Sequence, residues 1–171
     1  MTAAAGVRQL TPNDAARLVT LRREALDTDP LAFAASVEDD RGLSLDLVSA
    51  SLADTAEQAV FGYFDDERLG GMVGIARGSK VKQRHTATIW GMYVSPRARS
   101  SGAGRALLDA AVECGRRWGL AHVQLSVTEA APVARRMYES AGFRVWGREP
   151  RALHWNGRFV DDYHLQLDLA D

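Results

Sequence analysis

The sequence predicts one α/β domain built on a mixed, largely antiparallel seven-stranded sheet with about four helices. Segments with strand and helix periodicity alternate along the chain, without a repeat or a linker that would divide it. Three consecutive strand-like segments indicate an antiparallel meander, and the strand, helix and strand that follow indicate a right-handed crossover between parallel strands. A chain of 171 residues supports one sizeable core, so we expect residues 1–171 to form a single domain.

The first half of the chain predicts a strand, two helices and the meander. The first strand covers residues 7–10, and Thr11 with Pro12 is typical of the helix start that follows. That helix is expected to end before Asp29-Pro30, because the residue preceding a proline disfavours helical geometry. The later elements of this half are a short helix over residues 44–52 and meander strands over residues 59–64, 69–77 and 86–94.

The second half predicts the crossover and a closing hairpin. A helix over residues 102–118 carries small and apolar residues at helical spacing, and Gly119 stands where a helix end favours glycine. The next strand, residues 122–127, is expected to run parallel to the strand before that helix. The last elements are a helix over residues 132–141 that closes at Gly142, and strands over residues 144–153 and 158–169 joined at Asn156-Gly157.

Composition and charge narrow the classes of function. The chain has 21 basic and 22 acidic residues, so it lacks the basic excess of a nucleic-acid-binding protein. The N-terminal residues MTAAAGVRQL do not resemble a secretory signal, and no apolar run reaches the roughly 20 residues of a membrane span. We therefore expect a cytoplasmic protein without a nucleic-acid or membrane partner. The single cysteine, Cys114, excludes an internal disulfide, and no metal site is predicted.

An arginine-rich turn, SPRARSSGAGR at residues 95–105, joins a predicted strand to the start of a helix. Free main-chain N–H groups and the positive end of the helix dipole make such a turn a candidate phosphate site. A solvated surface turn that binds no ligand explains the same sequence equally well. Leu107 occupies the place of the third glycine of a dinucleotide-binding loop, and the Gly-Lys-Ser/Thr of a P-loop is absent. The expected ligand is an anion bound without a metal ion.

Two segments together resemble the GNAT superfamily of acyl-coenzyme A-dependent N-acetyltransferases. Residues 92–104, MYVSPRARSSGAG, are similar to the family's strand and its Arg/Gln-x-x-Gly-x-Gly/Ala loop. Residues 134–143, ARRMYESAGF, are similar to its A-x-x-(L/M)-Y-x-x-x-G-F segment. The resemblance covers nearly the whole chain. It implies a GNAT-like sheet whose central parallel strands splay apart, and acetyl-coenzyme A (acetyl-CoA) as the acyl donor.

The resemblance assigns a run of residues to the cofactor. The main-chain N–H groups of residues 100–105 are expected to hold the pyrophosphate, and the preceding strand is expected to bind the pantetheine arm as a neighbouring strand would. An N–H near Met92 or Tyr93 would polarise the acetyl carbonyl. The expected cofactor-binding residues are Met92, Tyr93, Val94, Arg99, Ser100, Ser101, Gly102, Ala103, Gly104 and Arg105.

Tyr138 is the expected catalytic residue. By resemblance it donates a proton to the thiolate that leaves from coenzyme A, a transfer that is only slightly uphill from a phenol with a pKa of about 10. Without the surrounding segment, simple packing against Met137 and Phe143 would be the favoured interpretation.

The group that removes a proton from the acceptor stays open. Thr88 and Ser126 occupy positions where some branches of the family carry a glutamate, so neither supplies a carboxylate. Glu129 is the nearest substitute in the sequence, and ordered water is an alternative. Three histidines are further candidates because imidazole titrates near neutral pH: His85, His154 and His164.

The expected reaction is transfer of an acetyl group to a primary amine by direct attack in a ternary complex, with a small-molecule acceptor slightly favoured. Aromatic residues and the pair Asp161-Asp162 would suit a small cationic amine, although those aspartates equally suit a hairpin ion pair with Arg158. Protein or peptide acetylation and non-catalytic acyl-CoA sensing are the alternatives. A homodimer through an exposed final strand is also expected. The expected acceptor-binding residues are Phe33, Trp90, Glu129, His154 and Tyr163.

Overall fold

A computed structural model describes residues 6–53 and 56–169 of the chain. Within these ranges, seven strands form one sheet in the order β1-β2-β3-β4-β5-β7-β6. The strands are β1 (Gly6–Gln9), β2 (Gln58–Asp65), β3 (Arg68–Arg77), β4 (Thr86–Val94), β5 (His122–Thr128), β6 (Arg144–Trp155) and β7 (Arg158–Asp168). The α-helices are α1 (Ala15–Thr28), α2 (Leu45–Ala53), α3 (Ala103–Arg117) and α4 (Pro132–Ser140).

The predicted fold class and element order are confirmed. Strands β2, β3 and β4 form the antiparallel meander, β4 and β5 are parallel, and β6 and β7 form the closing hairpin. Most observed bounds lie within two residues of the predicted ones, but α1 begins at Ala15 and not at Pro12, because Pro12–Asp14 form a 3-10 turn. Short 3-10 turns were not predicted from the sequence, and they lie at Pro12–Asp14, Pro30–Ala32, Arg41–Leu43, Val81–Gln83 and Pro96–Ala98.

The expectation that the final strand lies at a sheet edge is wrong. Strand β7 pairs with β5 along one side and with β6 along the other, both antiparallel. The chain leaves α4 and first forms β6 at the outer position, and the hairpin then returns β7 into the gap beside β5. The sheet edges are therefore β1 and β6. The expected homodimer stays a prediction, and β6 is the edge strand nearest the C-terminal hairpin.

Two apolar clusters cover opposite faces of the sheet. The amphipathic helix α3 buries Leu107, Leu108 and Ala111 completely against one face, where α4 also packs. On the other face, α1 buries Leu21 and Ala25 together with residues of α2. The strands alternate between these two clusters, as a period of two residues requires.

A bulge in β4 opens the sheet next to β5. Val73 of β3 lies opposite two β4 residues, Gly91 and Met92, and Gly91 has a φ of +64°. The extra residue reverses the alternation, so that Met92 contacts the α3 cluster while Tyr93 joins the α1 cluster. Pairing between β4 and β5 stops at Thr88. The predicted splay of the central parallel strands is thus confirmed.

Candidate active site

The start of α3 presents a row of free main-chain donors. Among the described residues, none of the N–H groups of residues 100–105 donates a hydrogen bond within the protein. Gly102 is the N-cap residue with a φ of +83° and has no side chain to satisfy the first helical amides, while Ser100 also takes a positive φ of +64°. Ser101 turns its hydroxyl away and donates to the Ala98 carbonyl at 2.7 Å. Free amides at the positive end of a helix fit an anion such as a pyrophosphate.

Open space surrounds the N-cap glycine. A Cβ built on Gly102 would meet no other atom within 4 Å, so a ligand can reach the main chain there. The next residue, Ala103, is buried under the loop and anchors the first turn of α3 in the core. The loop therefore stands on a packed helix while its amides face outward, an arrangement suited to an anion because little reorganisation would be needed.

The two arginines predicted to contact the cofactor hold protein partners. Arg99 donates from Nε to the Val94 carbonyl at 3.0 Å and from Nη2 to Asp29 at 2.7 Å, which braces the loop against the end of α1. Arg105 pairs with Asp109 at 2.8 Å on the exposed face of α3. Both guanidinium groups keep free N–H donors at the mouth of the loop.

The three predicted residues of β4 border the splay. Val94 turns its carbonyl away from β3, where Arg99 reaches it, and Met92 lies on the α3 side. The Tyr93 ring is buried on the α1 side, and its hydroxyl donates to Glu24 at 3.1 Å. Burial raises the pKa of Tyr93 above its usual value. Tyr93 can therefore offer only its main chain to a ligand in the splay.

Tyr138 lies on α4 within the α3 cluster. Its ring is 5% exposed and contacts Phe143 edge-on, with 6.0 Å between ring centroids. Its hydroxyl has no hydrogen-bond partner among the described residues. Burial raises the pKa of the Tyr138 phenol well above its usual value. The phenol is therefore protonated at neutral pH and available as a donor.

The expected acceptor-binding residues lie in three places. Trp90 and Phe33 lie on the α1 side, where the Arg22 guanidinium stacks over the Phe33 ring at 4.6 Å and Trp90 packs directly over Gly74. Tyr163 lies on the opposite face, under the Arg135 guanidinium at 3.9 Å.

His154 and Glu129 occupy the hairpin region. His154 stacks on Phe159 at 4.3 Å, near the tip of the hairpin and beyond the end of β5. Glu129 accepts a hydrogen bond from the Asp161 N–H at 3.1 Å and so closes the end of the β5–β7 ladder. The Asp161 carboxylate is engaged by Arg148 and by the Arg151 N–H, not by Arg158. The structure does not gather the five residues into one pocket.

A cavity of about 300 Å³ lies between α1, α2 and the meander, and Trp90 and Gly91 of β4 form part of its wall. Arg22 enters it from α1, held by Asp40 at 2.6 Å, and its Nη1 is buried without a partner. The sequence analysis did not identify Arg22 or Asp40 as site residues, because charged residues in an amphipathic helix or in a loop are usually exposed. Gly91 was also missed, although a glycine inside a strand is the usual signal of a bulge. A larger depression of about 720 Å³ lies between α1 and the β2–β3 turn, away from β5.

The described ranges contain neither a candidate metal site nor a candidate membrane-spanning helix. No group of three or more His, Cys, Asp or Glu side chains in residues 6–53 and 56–169 is arranged to hold a metal ion. In the same ranges, no helix combines the length and the apolar character needed to cross a membrane. Cys114 is buried in the α3 cluster, and burial raises the pKa of its thiol.

Comparison with solved structures places this fold among acetyltransferases. A GNAT-family acetyltransferase from Streptococcus pneumoniae is 25% identical, with a TM-score of 0.87 over 97% of this chain and 100% of that chain. A phosphinothricin acetyltransferase from Sinorhizobium meliloti, solved with acetyl-CoA, is 20% identical with a TM-score of 0.85 over 99% and 89%. A ribosomal-protein-alanine N-acetyltransferase from Brucella melitensis is 20% identical with a TM-score of 0.79 over 95% and 99%.

Sequence comparison agrees with the structural one. A mycothiol acetyltransferase from Thermobispora bispora is 38% identical over 90 residues, which are 50% of this chain and 30% of that protein. The chain thus matches less than a third of the length of that curated relative. The family model described as acetyltransferase (GNAT) family matches residues 20–143, which include the splay, the loop before α3 and Tyr138. The chain therefore belongs to the acetyltransferase (GNAT) family.

Proposed function

We propose that the chain transfers the acetyl group of acetyl-CoA to a primary amine by direct attack within a ternary complex. The proposal rests on one observation, that two features stand next to each other in the chain. The free N–H groups of residues 100–105 directly follow the section of β4 that has no partner on the β5 side. A pyrophosphate on the first feature directs a pantetheine arm along the second.

The main chain performs most of the cofactor binding. The amides of Ser100 to Arg105 hold the pyrophosphate, with the α3 dipole adding attraction for its charge. Met92 and Val94 supply strand-like hydrogen-bonding groups on the open side of β4, as an edge strand does for an added peptide. An N–H at Met92 or Tyr93 polarises the acetyl carbonyl, the interaction that is commonly the largest in acyl transfer.

Tyr138 supplies the proton for the leaving group. When bound, acetyl-CoA supplies an activated thioester, whose carbonyl carbon accepts the amine nitrogen while its bond to sulfur breaks. Tyr138 donates its phenolic proton to the departing sulfur and regains a proton from solvent. The burial that raises the phenol's pKa also raises the proton affinity of a thiolate beside it, which keeps the transfer feasible.

A small-molecule amine is the favoured acceptor. The cavity of about 300 Å³ beside Trp90 and Gly91 is the size of a small-ligand site, and it lies on the sheet face opposite the α3 cluster. A peptide or protein amine is the alternative, because the face over β5, β7 and β6 is broad and carries exposed residues such as Trp146. A non-catalytic acyl-CoA sensor is a third and less favoured alternative.

A turnover assay tests the proposal. Purified protein is mixed with acetyl-CoA and a panel of small amines and of peptides with free N-termini or lysines, and free thiol is measured over time. Amine-dependent thiol release supports the transferase, and the ratio of kcat/KM values for small amines and peptides identifies the acceptor class. Saturable acetyl-CoA binding by calorimetry without thiol release on any amine contradicts it in favour of the sensor.

A further inference from the structure

Three polar side chains from three neighbouring strands form a hydrogen-bonded row on the sheet. Ser126 Oγ of β5 lies 2.8 Å from His164 Nδ1 of β7, and His164 Nε2 lies 3.2 Å from Glu149 Oε2 of β6. The register places Ser126 directly opposite His164. The row therefore connects the strand that borders the splay to the edge strand of the sheet.

The row lies on the face from which an acceptor approaches. Leu125 of β5 and Leu165 of β7 belong to the α3 cluster, so the intervening Ser126 and His164 point to the opposite face. Trp90 of β4 points to this same face, because Ile89 joins the α3 cluster. A ligand on this side reaches the splay without crossing the helices that hold the cofactor.

Ser126 stands at the opening of the splay. Gln124 is the last β5 residue that pairs with β4, and Ser126 is the next residue on the same face. Ser126 is exposed, and the side chains of His164 and Glu149 are 28% and 57% exposed. The hydroxyl can therefore contact an amine placed at the acetyl carbonyl, and the row leads from there to solvent.

The partners fix the direction in which a proton moves. A carboxylate only accepts hydrogen bonds, so the neutral imidazole carries its proton on Nε2 toward Glu149 and presents the Nδ1 lone pair to Ser126. The Ser126 hydroxyl then donates to Nδ1 and turns an oxygen lone pair toward the opening. This is the polarity that a proton acceptor for an ammonium group requires.

We propose that Ser126, His164 and Glu149 form the relay that removes a proton from the acceptor amine. This inference rests on the proposed acetyltransferase function. The acceptor ammonium gives one proton to Ser126 Oγ as the Ser126 hydroxyl proton passes to His164 Nδ1. The products are a neutral amine, an unchanged serine and an imidazolium paired with Glu149. The imidazolium later releases its extra proton to solvent. Ser126 is the catalytic residue, and Glu149 is a positioning residue.

The charged groups around His164 favour this step. Glu149 reaches it from β6, Asp162 lies on the same face of β7, and β5 contributes the uncharged Ser126. Burial and the nearby Glu149 raise the pKa of Asp162 above its usual value, while His164 lowers it. The Trp146 ring lies 5.3 Å from the imidazole and covers part of it. Two carboxyl groups, Glu149 and Asp162, therefore lie near the imidazole where it gains a proton, and Arg144 lies on the same face opposite Gln166.

The test compares the pH dependence of His164→Gln and Ser126→Ala with that of the wild type on an amine that the wild type acetylates. At pH 7 both variants are expected to lose kcat by about 10²-fold or more, with unchanged acetyl-CoA affinity. The loss of kcat should become smaller as the pH approaches the pKa of the acceptor ammonium, about 10, because the amine is then already deprotonated when it binds. The matched control is His122→Gln, on the same face of β5 but in its paired section, which should keep the wild-type profile.

Each outcome has a separate meaning. A loss that is equal at every pH, or a wild-type profile in His164→Gln, overturns the relay while leaving the transferase function intact. Absence of turnover by the wild type on every amine overturns the proposed function and the relay with it. Nitrogen NMR of the imidazole gives a reading independent of activity. The wild type should show the tautomer protonated at Nε2, and protonation at Nδ1 in the neutral ring would contradict the relay.

Discussion

Gly104 and Met137 are in contact where the first turn of α3 meets α4. An ideal Cβ on Gly104 would lie 3.2 Å from Met137 Sδ and 3.7 Å from Val94 Cγ2, closer to the sulfur than a side chain normally stands. Met137 directly precedes Tyr138. The absence of a side chain at Gly104 therefore lets the proposed anion-binding turn and the helix that carries the proposed proton donor pack closely together.

Filling this contact should destabilise the protein. The change Gly104→Val inserts an isopropyl group against Met137, and we expect the free energy of unfolding to fall by about 1–3 kcal/mol. Denaturant unfolding measures it. In the double variant Gly104→Val/Met137→Ala the shorter side chain makes room, so the two effects should be less than additive. Strictly additive effects would show that the two residues do not share this packing.

A negative charge at the N-cap of α3 should abolish acetyl-CoA binding. Gly102→Glu brings a carboxylate to the free amides, whereas Gly102→Gln has the same length and the same strain at a positive φ but no charge. We expect the glutamate variant to bind at least about tenfold more weakly than the glutamine variant, a difference of about 1.4 kcal/mol. Calorimetry measures both. Equal affinities of the two variants for acetyl-CoA would show that the pyrophosphate does not bind at this loop.

Loss of the Tyr138 hydroxyl should slow the reaction and spare cofactor binding. Tyr138→Phe keeps the ring in its buried contact with Phe143 and removes only the proton donor. We expect kcat to fall by about 10²-fold or more, with the dissociation constant of acetyl-CoA little changed. Phe143→Leu, which perturbs the same packing without touching the hydroxyl, is the matched control. An unchanged kcat in Tyr138→Phe would assign the residue to the core alone.

One ion pair should make stability depend on pH. The Asp14 carboxylate is 3% exposed and accepts two hydrogen bonds of 2.8 Å from Arg8, which hold the pKa of Asp14 well below its usual value. A lowered pKa in the folded state means that the ionised form stabilises the fold. This contribution is complete above the unfolded pKa of about 3.9 and is lost as the pH falls below it.

Asp14→Asn should therefore lower the free energy of unfolding at pH 7 by about 1–2 kcal/mol. The difference from the wild type should decrease as the pH falls from about 5 toward 2, because the wild-type carboxyl then becomes protonated. Urea unfolding at several pH values measures this. Glu113→Gln, in an exposed pair with Arg116, should change stability little. A difference that is constant with pH would show that the charge of Asp14 does not matter.

Periodicity predicted the regular elements because their burial is repetitive. The apolar residues of α3, such as Leu107 and Ala111, recur at helical spacing, and the helix was found within one residue of its predicted bounds. Asn156-Gly157 likewise predicted its hairpin, since both residues take the positive φ that the turn requires. Local chemistry alone determines such features.

Contacts between residues that are far apart in the sequence were harder to predict. Nothing in the local sequence of Ser126, His164 and Glu149 indicates that three strands bring them into a row, because the register of β7 between β5 and β6 decides it. Arg22 and Asp40 are brought together by the chain between α1 and α2, which has no repeating pattern. The free main-chain donors before α3 could be predicted because they are consecutive in the sequence, whereas the side chains that share the face of Trp90 could not because they are scattered along the chain.

The insertion of β7 between β5 and β6 sets an order of assembly. Strand β6 has β7 as its sole partner among the described strands, and the open part of β5 has no other neighbour. Strand β6 is synthesised before β7, but it can join the sheet only after β7 has emerged and paired with β5. A truncation that removes β7 should therefore abolish folding, because Leu165 of β7 is fully buried beneath α3 and β6 would lose its sole partner among the described strands.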